Sequence, residues 1–179
     1  MNEKRVIWIV DGSYLLKAPK GKFDYLKLKD TLEDLNGCPF YESYFLDSTL
    51  DPSDAQNAFY TWLKTAPPKG PKMRVRLYKV KTLSFRCPNG EYVERHVQKG
   101  VDVGITTLLI RLATQGMYDR LVLSTGDGDF EDAISYIKED LHKEFWLAGF
   151  TDTISADLQC YADRVVWLDD HWEKIRKVE

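Results

Sequence analysis

Three aspartates stand behind apolar, strand-like runs of this chain, and a fourth opens a helical one. Asp11 closes Val6-Ile-Trp-Ile-Val10; Asp127 and Asp129 follow Leu121-Val-Leu-Ser124 within Ser-Thr-Gly-Asp-Gly-Asp-Phe; Asp102 lies one residue past Val101. Each has an ordinary explanation. An Asp after a strand forms turns, and an Asp in a first helical turn is favoured by the helix dipole by about 0.3 to 1 kcal/mol. Together they predict something else. Carboxylates gathered in one crevice repel by about 4 kcal/mol per pair at 4 Å and an effective dielectric near 20, so they call for protons or a cation. Hard oxygen donors suit Mg²⁺ or Mn²⁺, and no His/Cys pair nearby points to zinc. Such ions activate water and orient a phosphodiester for in-line attack, so phosphodiester hydrolysis is the chemistry the set fits.

The elements that must position these residues are legible as alternating patterns. Strand-like runs fall at 5–10, 40–46, 73–80, 121–124, 144–147 and 164–168. Between them, Val101, Ile105, Leu108, Leu109 and Leu112 recur at helical spacing and define one buried face. Further helices are expected at 24–35, 53–64 (with Ser53 as N-cap), 130–141 and 154–162. Strand followed by helix, repeated, predicts an α/β fold: a doubly wound, mostly parallel sheet with helices on both faces. Its ligand crevice lies at the carboxyl ends of the strands, where the aspartates fall. One stretch breaks the alternation. Two short strand-like runs within Leu83–Arg95 flank Asn89-Gly90, a pair that tolerates positive φ, and predict an inserted β-hairpin at about 81–96.

Length and composition bound the rest. A chain of 179 residues with 44% hydrophobic content suits one domain, expected over 1–170 with 171–179 as a tail or helical extension. No apolar run approaches a membrane span and the opening residues do not form a signal peptide, so a cytoplasmic protein without membrane contact is expected. Cys38, Cys87 and Cys160 form neither a disulfide framework nor a zinc pattern. His96, His142 and His171 lack a nucleophile elbow beside them, and no dinucleotide or Walker A loop is present.

The motifs resemble the NYN domain, a branch of the PIN-like ribonucleases, and its LabA-like members in particular. The resemblance covers nearly the whole chain and rests on Ile-Val-Asp-Gly at 9–12, Lys-Gly-Val-Asp-Val at 99–103, Ser-Thr-Gly-Asp-Gly-Asp-Phe at 124–130 and Ala-Asp-Arg-Val-Val-Trp-Leu at 162–168. It implies that Asp11, Asp102, Asp127 and Asp129 are metal-binding catalytic carboxylates, that Lys99 lies beside the scissile phosphate, and that RNA is cut with Mg²⁺ or Mn²⁺. Family members often carry Asn shortly after the first Asp-Gly; here Ser13 stands, available for the same polar contact. Thr125 of the third motif joins Ser13 as a candidate substrate contact.

Charge is segregated. Net charge is −3 overall, yet residues 64–99 hold ten Lys or Arg and only Glu91 and Glu94, a local +8. Arg74, Arg76 and Tyr78 alternate on one predicted strand, and Phe85, Arg86, Tyr92 and Arg95 sit on the hairpin. Cations interleaved with aromatics suit single-stranded RNA, whose bases stack on rings. Two other classes stay open: a regulatory module of the same fold that holds RNA or a protein partner without cutting, and a small-molecule phosphatase, which lacks a nucleophile motif. A homodimer is a further expectation, with Trp62, Trp146 and Trp172 as a contact surface where they are exposed, although core positions explain them as well.

Overall fold

The computed structural model describes residues 3–97 and 100–178. Lys99 therefore lies outside the described residues. Six strands form one parallel sheet: β1 (Val6–Asp11), β2 (Glu42–Thr49), β3 (Arg74–Lys79), β6 (Arg120–Ser124), β7 (Glu144–Gly149) and β8 (Arg164–Trp167), in the order β3-β2-β1-β6-β7-β8. The chain winds outward from β1 to β3, returns to the centre at β6, and winds outward again. All six predicted strands are present, each within a few residues of its expected span.

Alternate residues of each strand enter opposite cores, as the pleat requires. Ile7, Ile9, Leu46, Leu121, Leu123 and Leu147 pack on one face against α4 (Val101–Thr114), α5 (Glu131–Ser135) and α6 (Ala156–Gln159). The predicted helical stripe of Ile105, Leu108, Leu109 and Leu112 is buried there. Val6, Trp8, Val10, Phe45, Val122 and Ala148 pack on the other face against α2 (Tyr25–Asn36), α3 (Asp54–Lys64) and α7 (Trp172–Ile175). Each such Leu or Ile stabilises the fold by about 1.5 to 3 kcal/mol relative to exposure. A five-residue helix, α1 (Gly12–Leu16), leaves β1 directly after Asp11.

Local signals account for where the helices start. Asp24 caps α2 by accepting from the Leu26 and Lys27 N–H groups at 2.8 and 3.3 Å. Ser53 caps α3 in a reciprocal box with Gln56. One expected helix changes type along its length, and another is shorter than expected. The segment 130–141 is a 3₁₀ turn at Gly128–Phe130, then α5, then a π-helical stretch at Tyr136–Asp140. The helix expected over 154–162 shrinks to α6, capped by Ser155.

The hairpin is β4 (Lys81–Arg86) with β5 (Tyr92–Val97), an antiparallel pair that joins no other strand among the described residues. Its turn differs from expectation: only Gly90 has positive φ, at 87°. Pro88 fixes its own φ near −65°, so the chain makes a wider turn in which the Gly90 N–H donates to the Cys87 carbonyl and the Cys87 N–H to Glu91. No described helix is long and apolar enough to cross a membrane.

Candidate active site

In a doubly wound sheet, the crevice opens where the winding reverses, because the connections of neighbouring strands leave toward opposite faces. That point lies between β1 and β6. Asp11 ends β1, Thr125 and Asp127 follow β6, and Asp102 opens α4, which enters from the same edge. Gly12 permits the tight exit after Asp11, since a Cβ there would sit 2.6 Å from the Phe45 ring and 2.9 Å from Asp47. At Gly126 a Cβ would stand 1.9 Å from the Thr153 carbonyl oxygen, and at Gly128 it would stand 2.8 Å from the Ser155 hydroxyl. The glycines of Gly-Asp-Gly-Asp are thus fixed by close approach of the loop after β7.

Asp11 is buried, with 6% of its surface exposed. Ser13 donates to its Oδ1 and Thr125 to its Oδ2, both at 3.0 Å. The Thr125 hydroxyl in turn accepts from the Asp127 N–H at 3.3 Å, and Asp127 Oδ1 accepts from the Asp129 N–H at 2.9 Å. One hydrogen-bonded chain therefore links Asp129, Asp127, Thr125 and Asp11. Burial raises the Asp11 pKa; the Ser13, Thr125 and Tyr14 hydrogen bonds oppose this, the Asp127 charge adds to it, and the net shift is upward. Asp102 is also raised, by partial burial first and then by the charges of Asp127, Asp11 and Asp129. The four predicted aspartates thus share one electrostatic neighbourhood. Ser13, Gly100, Val101 and Asp102 line a cleft of about 90 Å³ at its side.

Four carboxylates offer the hard-oxygen donor chemistry of Mg²⁺ or Mn²⁺, and a cation among them would offset the neighbouring negative charge that adds to burial in raising Asp11 and Asp102. Among the described residues, however, no three His, Cys, Asp or Glu close up into a ready-made ligand set. Asp11 has both oxygens turned to hydroxyls and Asp127 has one turned to a backbone N–H, while like charge favours separation of the rest.

The predicted substrate contacts divide. Thr125 is fully buried and directed at Asp11, and Ser13 also faces Asp11. Tyr78 packs against α4, its ring 3.1 Å from where a Gly100 Cβ would lie and closer still to one at Gly104. Arg74 pairs with Glu42 at 2.8 Å, and both Arg74 and Arg76 lie over the Tyr44 ring. Because α3 runs back from the carboxyl edge, Lys64, Lys69, Lys72 and Arg74 fall at the amino edge of the sheet, away from the aspartates. The run of positive charge is not one surface. The hairpin remains at the crevice edge, between the end of β3 and the start of α4. Cross-strand pairing puts Lys81, Leu83, Phe85, Val93, Arg95 and Val97 on one face, and Thr82, Ser84, Arg86, Tyr92, Glu94 and His96 on the other. Arg86 and Arg95 therefore point to opposite sides. Trp146 is buried and Trp62 and Trp172 are half-buried, as core roles require.

A fifth carboxylate escaped the sequence reading. Asp47, near the carboxyl end of β2, is buried behind Gly12; its oxygens accept from the Ser48 N–H at 2.8 Å and the Tyr60 hydroxyl at 3.4 Å. Burial raises its pKa, the two hydrogen bonds oppose, and Asp11 raises it slightly further. Tyr60 is pushed up to about 12 by burial and by the Asp47 charge. The signal was present: Phe45-Leu-Asp-Ser48 repeats the strand-Asp-Ser pattern of Ile9-Val-Asp-Gly-Ser13.

A family model described as the NYN domain matches residues 5–169. No curated protein sequence matches the chain. Among solved structures, a protein of unknown function from Vibrio parahaemolyticus superposes with a TM-score of 0.71 at 22% identity, covering 98% of each chain. At that identity the likeness shows the fold alone. Phytolacca americana UGT2, complexed with UDP-2fluoro-glucose and pterostilbene, aligns at a TM-score of 0.42 and 17% identity over 84% of this chain and 31% of its own, too weak to carry an argument.

Proposed function

Because this chain belongs to the NYN domain family, whose members group with the PIN-like nucleases, we propose that it is a divalent-metal-dependent ribonuclease of the LabA-like branch, acting on single-stranded RNA in the cytoplasm. The observation that carries this reading is the shared electrostatic neighbourhood of Asp11, Asp102, Asp127 and Asp129 at the switch point of the sheet. Asp11, Asp102, Asp127 and Asp129 would hold the ion. When bound, Mg²⁺ or Mn²⁺ supplies an activated water and neutralises charge on the phosphodiester.

The chain's own groups do the rest. Ser13 and Thr125 orient the Asp11 carboxylate, and Thr125 ties that carboxylate to the Asp127 backbone. The first N–H groups of α4, whose N-cap Gly100 offers no side-chain partner, face the crevice edge and suit a phosphate oxygen. By the family resemblance, Lys99 would stand beside that phosphate. On the hairpin, Phe85 and Arg95 share the face that would stack and pair with unpaired nucleotides. The domain would extend over residues 1–170, with the C-terminal segment packed on it through Ile175 of α7.

Labelled single-stranded RNA incubated with the protein in Mn²⁺, in Mg²⁺ and in chelator tests this, alongside Asp127→Asn. Cleavage is expected with either metal and absent in chelator and in the variant. Equal cleavage by variant and wild type would defeat the assignment. A regulatory module without turnover is the competing reading, favoured by Ser13 in place of the usual Asn; RNA binding without any metal-dependent cleavage would select it.

A further inference from the structure

Two basic segments from opposite ends of the sequence meet on the opposite flank of the aspartate edge. The loop 17–22 after α1 carries Lys17, Lys20 and Lys22; the C-terminal segment after α7 carries Arg176 and Lys177. They are joined as an antiparallel pair: Phe23 bridges to Arg176, the Lys177 N–H donates to the Lys22 carbonyl at 3.1 Å, and the Asp24 N–H donates to the Ile175 carbonyl at 2.8 Å. Between and beside them run two open grooves of about 930 and 600 Å³ that share Gly21, Lys22 and Lys177 as lining. Trp172 lines the first, while Phe59 and the exposed Leu16 line the second.

The local acids are few. Asp169 neutralises Lys20 at 3.8 Å and Glu173 pairs with Arg176 at 2.8 Å, and Asp24 is committed to capping α2. Lys17, Lys22 and Lys177 are exposed and make no ion pair among the described residues. A net positive, aromatic-edged trough on a chain of net charge −3 is charge-complementary to a polyanion with planar groups.

Its position decides which polyanion. Everything that builds the trough leaves the sheet at its carboxyl edge, where Asp11 lies: α1 starts at Gly12, α2 is capped at Asp24, and Asp169 follows β8. In the chain, α1 leads from Asp11 to the trough: its five helical residues span about 7.5 Å at 1.5 Å per residue, and Leu15 and Leu16 at its far end line the second groove. We infer that this trough is a second binding tract for single-stranded nucleic acid, holding the phosphate backbone of the strand whose scissile phosphate lies at the aspartates and which crosses α1 to reach Lys22 and Lys177. The inference rests on the nuclease reading above.

The test is fluorescence anisotropy with labelled single-stranded RNA in chelator, so that binding is read without cleavage, on the full chain and on Lys22→Glu/Lys177→Glu. An RNA of about 12 nucleotides is expected to bind the variant at least tenfold more weakly, with a salt dependence of log K shallower by about 1.4, the contribution of two phosphate contacts on a single strand. A dinucleotide, whose single phosphodiester cannot occupy the aspartates and the trough together, is expected to bind both proteins alike. A 12-mer affinity and salt slope unchanged in the variant overturns the tract, as does a poly-glutamate competitor that displaces RNA as well as unlabelled RNA does, since that makes the trough a site for acidic peptides. Wild type that binds neither RNA overturns both the tract and the nuclease reading, whereas a variant with the expected losses in a protein that never cuts RNA supports the tract and defeats the nuclease reading alone. The milder Lys22→Gln/Lys177→Gln guards against a folding artefact by giving an intermediate loss.

Discussion

Thr125 shows how one hydroxyl organises the aspartates. It donates its single proton to Asp11 and accepts from the Asp127 N–H, so two carboxylate-bearing loops are held by one buried atom. Val has nearly the same shape and no hydroxyl. Thr125→Val therefore leaves a buried carboxylate oxygen and a backbone N–H without partners, at a cost of about 1 to 3 kcal/mol. Lower thermal stability together with at least a tenfold drop in kcat is expected, and Thr125→Ser should restore most of both. Full activity in the Val variant, measured on the same RNA, would show that Asp11 needs no such orientation.

At the scale of elements, the hairpin differs from every other part of the fold because it pairs only with itself and exposes both faces. Its contribution to substrate is set by its side chains more than its charge, since Lys81, Arg86 and Arg95 stand against Glu91 and Glu94. Phe85 is 52% exposed with Leu83 and Val93 around it on the same face. Phe85→Ala is expected to weaken single-stranded RNA binding about fivefold to tenfold through lost stacking, with the salt dependence and melting temperature unchanged. A shallower salt slope would instead mean that the hairpin acts through phosphates. The pattern is the converse of that expected for the lysines of the second tract.

The whole molecule responds to pH through two opposed sets of carboxyls. Asp11, Asp47 and Asp102 have raised folded pKa values, chiefly from burial, so their protonation favours the folded state and the stability they contribute disappears as pH rises through those values. Glu144 and Asp163 are opposite. Burial opposes their ionisation, but Lys4 and Arg120 on Glu144, and Lys138 and the Phe145 N–H on Asp163, outweigh it and leave both below their ordinary values. Their stabilisation is complete above the ordinary carboxylate range of about 4 and is lost as pH falls through the lowered values. The melting temperature should therefore peak in acidic solution, above the ordinary carboxylate range and below the raised values of Asp11, Asp47 and Asp102, and decline as pH rises through those values. Mn²⁺ should raise it most at the higher pH, where the aspartates are ionised. A melting curve that rises monotonically to pH 8 without metal would contradict the cost assigned to the cluster.

The sequence by itself determined the winding of the sheet, the buried stripe of α4, the cap at Ser53, and the placing of Asp11 and Asp127 at strand ends. These follow from periodicities of two and 3.6 and from local hydrogen-bonding chemistry, which are written in neighbouring residues. Only the tertiary structure decided which charges share a surface. Residues 64–74 are strongly basic in the chain, yet α3 carries them to the amino edge, while Lys22 and Lys177, which no window along the chain unites, are brought together by a bridge between a loop and the C-terminal segment. It also turned Thr125 and Tyr78 inward and buried Asp47 behind Gly12. The physical reason is range. Propensity and capping act over a few residues, whereas the orientation of a side chain and the neighbours of a charge depend on which elements the core packs side by side.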